Sequence, residues 1–226
     1  MSVVDAWTRV SKSVAYVIAA DEIKKDIEGY DPAHSDQFHQ ASAKMADKMY
    51  DKAVKRRSER KVILLAGGAA SGKSEYVATY LTSTRAIILD GTLPTTRGAE
   101  IKIEKAIKQQ KKIELHLVLP ESLIVAFGVF LNRQRKYDIS HFYRTHSSSR
   151  QTAYEIVQCH EDIKVRVISS KYVEFREGGT MEFKYHKFVS RQMLLEFLCG
   201  IQYTEQQIRN EILDYVTNSS TGIHNE

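Results

Sequence analysis

Short apolar runs alternate with longer amphipathic stretches along most of this chain. Three of the runs are bounded by polar residues and are rich in Ile, Leu and Val, which predicts β-strands at residues 61–66, 85–90 and 113–119. The stretches between them repeat apolar residues at helical spacing. Strands that alternate with helices in this way specify an α/β fold, with a parallel sheet covered by helices on both faces.

The first 57 residues are expected to be helical. Valines at near-helical spacing predict one amphipathic helix from Val3 to Ile27, which Asp31 and Pro32 end. A second helix is predicted to start near Ser35, its expected N-cap. The apolar face of that helix is expected to comprise Phe38, Ala41, Met45, Met49 and Ala53. It leads into the basic run 55–61, which indicates either a solvated helix end or a contact with phosphates.

The second half is expected to add helices, a β-hairpin and more helices. Ile101, Ile103 and Ile107 are the predicted apolar residues of a helix over 98–111. The remaining helices are predicted at 123–131, 140–157, 190–198 and 204–216. The strand-rich segments are 164–168, 171–175 and 181–188, and the turn at 177–180 predicts a hairpin near the sheet edge. We therefore expect one domain over 1–217, with an α/β core at 61–217 and a flexible tail at 218–226.

Composition narrows the class of protein. The chain has 226 residues, of which 42% are hydrophobic, enough for one α/β domain with a substantial core. No apolar run approaches the length of a membrane span, and the N-terminus lacks the pattern of a signal peptide, a charged segment followed by an apolar one. We therefore expect a cytoplasmic protein. Cys159 and Cys199 lack C-x-x-C spacing and are expected to be reduced thiols. The net charge of +5 favours an anionic partner, and a nucleotide alone satisfies that preference.

The strongest motif follows the first apolar run and matches the phosphate-binding pattern G-x-x-x-x-G-K-[ST]. Its glycines let successive backbone N–H groups point into one concavity that phosphate oxygens fill. Lys73 adds a charge for the β- and γ-phosphates, and Ser74 offers a hydroxyl ligand to Mg²⁺. A helical pattern through Tyr76 and Leu81 follows, as the motif requires. The loop comprises Gly67, Gly68, Ala69, Ala70, Ser71, Gly72, Lys73 and Ser74.

Asp90 is the predicted catalytic carboxylate. It lies 17 residues after Lys73, at the end of an apolar run. We interpret this run as the only one in the chain that ends in an Asp. Its side chain is therefore expected beside the γ-phosphate, where it accepts a proton from a substrate hydroxyl or organises Mg²⁺. The alternative is an Asp that only caps the following turn.

Arginines are needed to balance the charge of a transferring phosphate, and the candidates are Arg133, Arg135, Arg144 and Arg150. Arg133 and Arg135 on one helix would point in nearly opposite directions, so either the helix ends between them or one alone serves the site. A surface salt bridge is the alternative for each arginine. His141, His146 and His160 lack the spacing of metal ligands. The guanine-specific pattern Asn-Lys-x-Asp is absent, which favours ATP over GTP.

The order of these parts resembles the zeta toxin family of P-loop kinases, loosely from Asp31 to Tyr215. The segment Val62–Ser74 looks like that family's phosphate loop, and Leu89–Thr96 is similar to its acidic-Gly-Thr segment. Arg133 and Arg135, ahead of the helix that contains His141 and His146, resemble its paired arginines at the transferring phosphate.

The resemblance implies an ATP- and Mg²⁺-dependent kinase that phosphorylates UDP-N-acetylglucosamine at the sugar 3′-hydroxyl. It implies a substrate contact at Thr92, with Arg97 a substitute for a missing arginine, and an antitoxin protein as a partner; nucleic acid is not expected to bind. The family also has a strand with an Asp-x-Asp-like motif, and a helix, between its phosphate loop and its Gly-Thr segment. The 17 residues here leave no room for both, so Asp90 is expected to stand in for the family's catalytic aspartate.

Three functions therefore stay open at the level of sequence. The first is a small-molecule kinase of the zeta toxin type. The second is a kinase that acts on nucleic-acid ends or on another phosphorylated metabolite, which would use the basic segments around Arg56 and Lys111. The third is a degenerate relative that binds nucleotide or a protein partner without turnover.

Overall fold

The computed structural model describes residues 14–176 and 178–221. The strands are β1 (Tyr16–Ala19), β2 (Lys61–Ala66), β3 (Ile87–Asp90), β4 (Lys112–Pro120), β5 (Lys164–Tyr172) and β6 (Met181–His186). The helices are α1 (Ala20–Ile23), α2 (His39–Arg56), α3 (Lys73–Tyr76), α4 (Thr96–Lys108), α5 (Leu123–Asn132), α6 (Ile139–Cys159), α7 (Arg191–Gly200) and α8 (Glu205–Thr221). A π-helical turn at Val77–Leu81 extends α3.

The six strands form one sheet in the order β1-β3-β2-β4-β5-β6. All neighbours are parallel except β6, which runs antiparallel to β5 at one edge. Five of the six residues of β2 are buried, as expected for a central strand that is covered on both faces. The predicted α/β class, its parallel sheet and the hairpin at the edge are therefore confirmed.

The N-terminal strand β1 corrects a prediction. We expected a helix over Val3–Ile27, but Tyr16–Ala19 form a strand that pairs in parallel with β3, Ala19 lying opposite Asp90. Residues 3–13 of that predicted helix lie outside the described part. The valine spacing suggested a helix, yet a run of Tyr, Val and Ile also suits a strand, and the free edge of β3 decided between them. The C-terminal end of β1 consequently lies beside Asp90.

Helix α2 forms as expected, but its start and its buried face differ from the prediction. It begins at His39, and Ser35 is buried beside the Lys24 ammonium and the Tyr30 hydroxyl instead of capping the helix. Met45, predicted to be in the core, is exposed. The residues that the helix buries are Ser42, Ala46, Tyr50, Ala53 and Val54. Small residues let α2 approach the sheet closely, and the Tyr50 hydroxyl donates to the Lys102 carbonyl of α4.

Helix α4 buries one of its three isoleucines. Ile103 is in the core, whereas Ile101 and Ile107, also predicted to be apolar contacts, are exposed. Ala99 and Ala106 take the other buried positions, three to four residues from Ile103 on the same face. The stripe of small residues, rather than the largest side chains, marks the inner face of this helix.

The main core lies on the face of the sheet that α2, α4, α6 and α7 cover. A smaller cluster around Tyr76, Val77 and Leu81 covers the opposite face, and a third joins α5, α6 and α8. Helix α8 continues to Thr221, so residues 218–221 of the expected tail are helical; residues 222–226 lie outside the described part. Among the described helices, none combines the length and the apolar character that crossing a membrane requires.

Candidate active site

The phosphate-binding pattern forms a tightly curled loop between β2 and α3, at the carboxyl end of the central strand. Gly67, Ala70 and Gly72 have positive φ values of 146°, 56° and 79°. A Cβ atom on Gly67 would lie 2.4 Å from the Val118 carbonyl oxygen, and one on Gly68 would lie 2.2 Å from the His146 ring. Glycine is therefore required at both positions for the loop to fit against its neighbours.

Lys73, Ser74 and Asp90 converge at the mouth of this loop. The Lys73 ammonium donates to the carbonyls of Gly67 and Gly68, at 2.9 and 2.8 Å. The Ser74 hydroxyl donates to Oδ2 of Asp90 at 2.8 Å. Burial raises the pKa of Asp90, and the Lys73 charge and the Ser74 hydrogen bond oppose that rise. The predicted loop and the predicted carboxylate thus meet at one point.

A cavity of about 890 Å³ opens beside the loop. Its wall includes residues 69–75 of the loop and α3, the segment 89–95 after β3, and the end of β1 with α1. Thr92, the predicted substrate contact, lies on this wall. Arg97 is exposed on α4, and its side chain is not among the described residues that line the cavity.

Arg133 and Arg135 both line the cavity, because α5 ends at Asn132 and neither arginine belongs to a helix. The geometric conflict expected of two arginines on one helix therefore does not arise. The Arg133 guanidinium is buried and lies 4.4 Å from the centre of the Phe130 ring. Of the other two candidates, Arg144 is exposed on α6, and Arg150 is buried behind the phosphate loop.

Asp21 is a further carboxylate at the cavity, and it was not predicted from the sequence. It lies in the first turn of α1, two residues after the end of β1, and β1 is the strand next to β3, which ends in Asp90. Its signal was the same as that of Asp90, an apolar run that ends in an Asp. The interpretation that Asp90 was unique in this respect is wrong, because residues 15–20 had been assigned to a helix.

Three polar groups hold the Asp21 side chain. Arg135 forms an ion pair with Oδ2 at 2.9 Å, the Tyr137 hydroxyl donates to Oδ1 at 3.0 Å, and the Lys24 ammonium lies 3.2 Å from Oδ1. Lys24 is fully buried and also donates to the Tyr137 hydroxyl. Burial raises the pKa of Asp21, but the nearby cations outweigh it and hold that pKa well below its usual range. Asp21 is therefore ionised at neutral pH.

The histidines named in the sequence serve separate parts of the fold. His141 stacks on Tyr137 at the cavity, His146 is buried against the loop, and His160 pairs with Glu100 on α4. In the described ranges no group of three or more His, Cys, Asp or Glu side chains is arranged to hold a metal. The pair that does suit Mg²⁺ is Ser74 with Asp90, because this ion is commonly bound by one or two protein oxygens together with substrate phosphates.

Two cations of the basic run already have carboxylate partners. Arg57 pairs with Glu59 at 2.7 Å, and Lys61 pairs with Glu114 at 2.9 Å. Arg57 also lies over the Tyr16 ring, 4.1 Å from its centre, and so covers the edge strand β1. These contacts agree with a structural role for this part of the run.

The comparisons with known proteins add no relative. No family model matches the chain, and no curated protein is significantly similar to it.

Proposed function

We propose that this protein is an ATP-dependent kinase that transfers the γ-phosphate to a hydroxyl of a small anionic acceptor. The observation that carries the proposal is the convergence on one cavity of a phosphate-binding loop, the carboxylates of Asp21 and Asp90, and the arginines Arg133 and Arg135. Asp90 ends β3, and Asp21 follows the end of the neighbouring parallel strand β1 by two residues; ligands bind at this edge in open α/β sheets.

The loop and β3 provide the nucleotide half of the site. The amides of the loop and the Lys73 ammonium hold the β- and γ-phosphates, and Ser74 with Asp90 would hold Mg²⁺. When bound, Mg²⁺ neutralises charge on the transferring phosphate. The hydrogen bond from the Ser74 hydroxyl to the Asp90 carboxylate supports a role for Asp90 at the metal rather than at the acceptor.

Asp21 provides the acceptor half. An ionised carboxylate orients an acceptor hydroxyl by accepting its hydrogen bond. Because the surrounding cations hold the pKa of Asp21 low, it takes the proton only late, once the oxygen has bonded to the γ-phosphate and become acidic. Arg135 and Arg133 place positive charge on the same wall, where it opposes the charge that spreads over the equatorial oxygens. We therefore give Asp21 the role of proton acceptor, one of the two roles that the sequence had left open for Asp90.

The acceptor that we propose is a nucleotide sugar such as UDP-N-acetylglucosamine, with a toxin role and an antitoxin partner. The zeta toxin resemblance lacked a strand, an acidic residue and a helix between Lys73 and Asp90. Here β1, Asp21 and α2 supply such a unit ahead of the loop in the chain, and β1 lies beside β3 in the sheet. The strand, the acidic residue and the helix are thus present, but they precede the phosphate loop in the chain instead of following it. Their presence supports the resemblance.

Incubation with γ-labelled ATP, Mg²⁺ and a panel of acceptors tests this proposal. The panel contains nucleotide sugars, nucleosides and oligonucleotides. We expect label on a nucleotide sugar, and none when the panel is incubated with a Lys73→Ala variant. Label on an oligonucleotide 5′ end would favour the polynucleotide kinase alternative, and label on no acceptor would favour the degenerate one.

Asp90→Asn should lower turnover by about 10²-fold, because the amide keeps the size of the side chain but removes the charge that holds the Mg²⁺ shell. The Mg²⁺ concentration needed for half-maximal rate should rise in the same variant. Steady-state rates across a Mg²⁺ titration measure both effects. The control is Asp162→Asn, at an exposed site beyond α6. If the turnover of Asp90→Asn stayed within a few-fold of wild type, groups other than Asp90 would have to hold the metal.

Arg133→Ala and Arg135→Ala should each lower the rate of phosphate transfer more than ATP affinity, because their charge matters most in the transition state. We expect the larger loss, about 10²-fold, for Arg135 because it also holds Asp21. Single-turnover transfer beside ATP titrations separates the two effects. Arg85→Ala, at an exposed position, is the control for the loss of a positive charge. Unchanged turnover in both cavity variants would mean that the two arginines have a structural role and not a catalytic one.

A further inference from the structure

The back of the phosphate loop is gripped by side chains from α6 and β5 that the proposed chemistry does not use. The Nε2 atom of His146 lies 2.9 Å from the Ala69 carbonyl oxygen. The Tyr172 hydroxyl donates to the Ala70 carbonyl at 2.9 Å, and the Ser170 hydroxyl donates to the Ser71 carbonyl at 2.8 Å. Three successive carbonyls of the loop thus each have a side-chain partner.

Peptide geometry gives these contacts a consequence on the other side of the loop. In a trans peptide the C=O of one residue and the N–H of the next point in opposite directions. A carbonyl of Ala69 held against α6 therefore turns the Ala70 N–H away from α6. In the same way, the Ser71 carbonyl held by β5 turns the Gly72 N–H away from β5. Ala70, Ser71 and Gly72 all line the cavity.

We propose that His146 and Ser170 are positioning residues that aim the Ala70 and Gly72 amides at the phosphates of the nucleotide. Tyr172 fixes the peptide unit between them, whose Ser71 N–H donates to the Gly68 carbonyl at 3.4 Å. This inference rests on the proposed function for the identity of the anion. These side chains hydrogen-bond to carbonyls of the loop, and they act by fixing which way each peptide unit faces. Without these three side chains the loop would adopt this orientation of its peptide units only on binding the nucleotide, and that ordering would lower the affinity.

Arg150 sets the hydrogen-bonding state of His146. An arginine only donates, and its Nη1 lies 3.2 Å from Nδ1 of His146, so Nδ1 must accept. The ring proton then lies on Nε2, which donates to the Ala69 carbonyl. His146 is fully buried, and burial together with the Arg150 charge holds its pKa well below the usual range, so the ring stays neutral. Arg150 itself is held by a hydrogen bond to the His146 carbonyl at 2.7 Å.

Removal of single hydroxyl groups provides the sharpest test. Tyr172→Phe and Ser170→Ala each delete one donor, and each should weaken binding of Mg·ATP and of inorganic tripolyphosphate by about two- to tenfold. The catalytic rate at saturating ATP should stay within twofold, because ground state and transition state lose the same contact. Ser169→Ala is the matched control, since the Ser169 hydroxyl is bonded to His186 instead.

His146 is tested by rescue and by its tautomer. His146→Gln keeps an N–H donor and should bind tripolyphosphate more tightly than His146→Phe. Nitrogen-15 NMR of the wild-type protein should show a neutral ring protonated at Nε2. Calorimetry gives the affinities, and melting temperatures show that each variant is folded.

The possible outcomes separate this inference from the proposed function. Wild-type affinity in folded Tyr172→Phe and Ser170→Ala, an equal loss in Ser169→Ala, or a ring protonated at Nδ1 would overturn the inference. Tripolyphosphate binding that weakens as expected, in a protein that transfers no phosphate, would uphold the inference and refute the kinase. A wild-type protein that binds no polyphosphate would refute both.

Discussion

Asp21→Asn should reduce phosphate transfer by at least about 10²-fold while Mg·ATP affinity stays within a few-fold of wild type. The amide preserves the size of the side chain and can still contact Arg135 and Tyr137, so the cavity should keep its shape. It cannot take the proton of an acceptor hydroxyl. Single-turnover transfer to the acceptor, beside calorimetry with Mg·ATP, measures the two quantities separately.

The control for this variant is Asp36→Asn, which removes a carboxylate at an exposed position outside the cavity wall. A comparison with Asp90→Asn assigns the two roles. If Asp21 faces the acceptor and Asp90 faces the metal, only the Asp90 variant should shift the Mg²⁺ dependence. An Asp21→Asn enzyme with near wild-type turnover would return the role of base to Asp90, for which the sequence left that role open.

Lys73→Ala should weaken Mg·ATP binding by about 10- to 100-fold, the loss expected for a charged hydrogen bond worth roughly 1.5–3 kcal/mol. Its ammonium is the cation that the loop itself supplies to the β- and γ-phosphates. Transfer should fall below detection in the same variant, because the charge also stabilises the transferring phosphate. Calorimetry with Mg·ATP and with Mg·ADP measures the binding loss.

Lys108→Ala, which removes an exposed lysine of α4, is the matched control for net charge. The melting temperature of Lys73→Ala should remain close to that of wild type. Equal Mg·ATP affinity in the folded Lys73→Ala variant would show that the G-x-x-x-x-G-K-S segment is not a nucleotide site, and the proposed kinase would fail with it.

Much of the fold was predictable because the signals are local. The phosphate loop needs glycines at positions where a Cβ atom would clash, so Gly67 and Gly68 could be identified from the sequence motif alone. The apolar runs of β2, β3 and β4 predicted a parallel sheet, and the turn before Met181 predicted the edge hairpin. Lys73, Ser74 and Asp90 were likewise predicted as neighbours, and they do meet.

The errors share one cause. A helix or strand preference is weak for a short segment, and the identity of β1 depends on whether a neighbouring strand offers hydrogen bonds to it. Val14 and Val17 at near-helical spacing therefore predicted a helix, and Asp21 was lost with the strand. The inner faces of α2 and α4 were misplaced for a related reason, since close packing favoured Ala46 and Ala99 over larger apolar residues.

The sequence by itself determined the phosphate loop, the alternation of strands and helices, and one carboxylate at the end of β3, because each depends on residues close together in the chain. The tertiary structure alone decided that β1 joins β3, that Asp21 is held by Arg135 and Tyr137, and that His146 grips the loop. The residues that these contacts join are far apart in the chain, from 71 positions for Tyr16 and Ile87 to 116 positions for Asp21 and Tyr137. Such separations carry no pattern in a single sequence, since only packing brings the partners together.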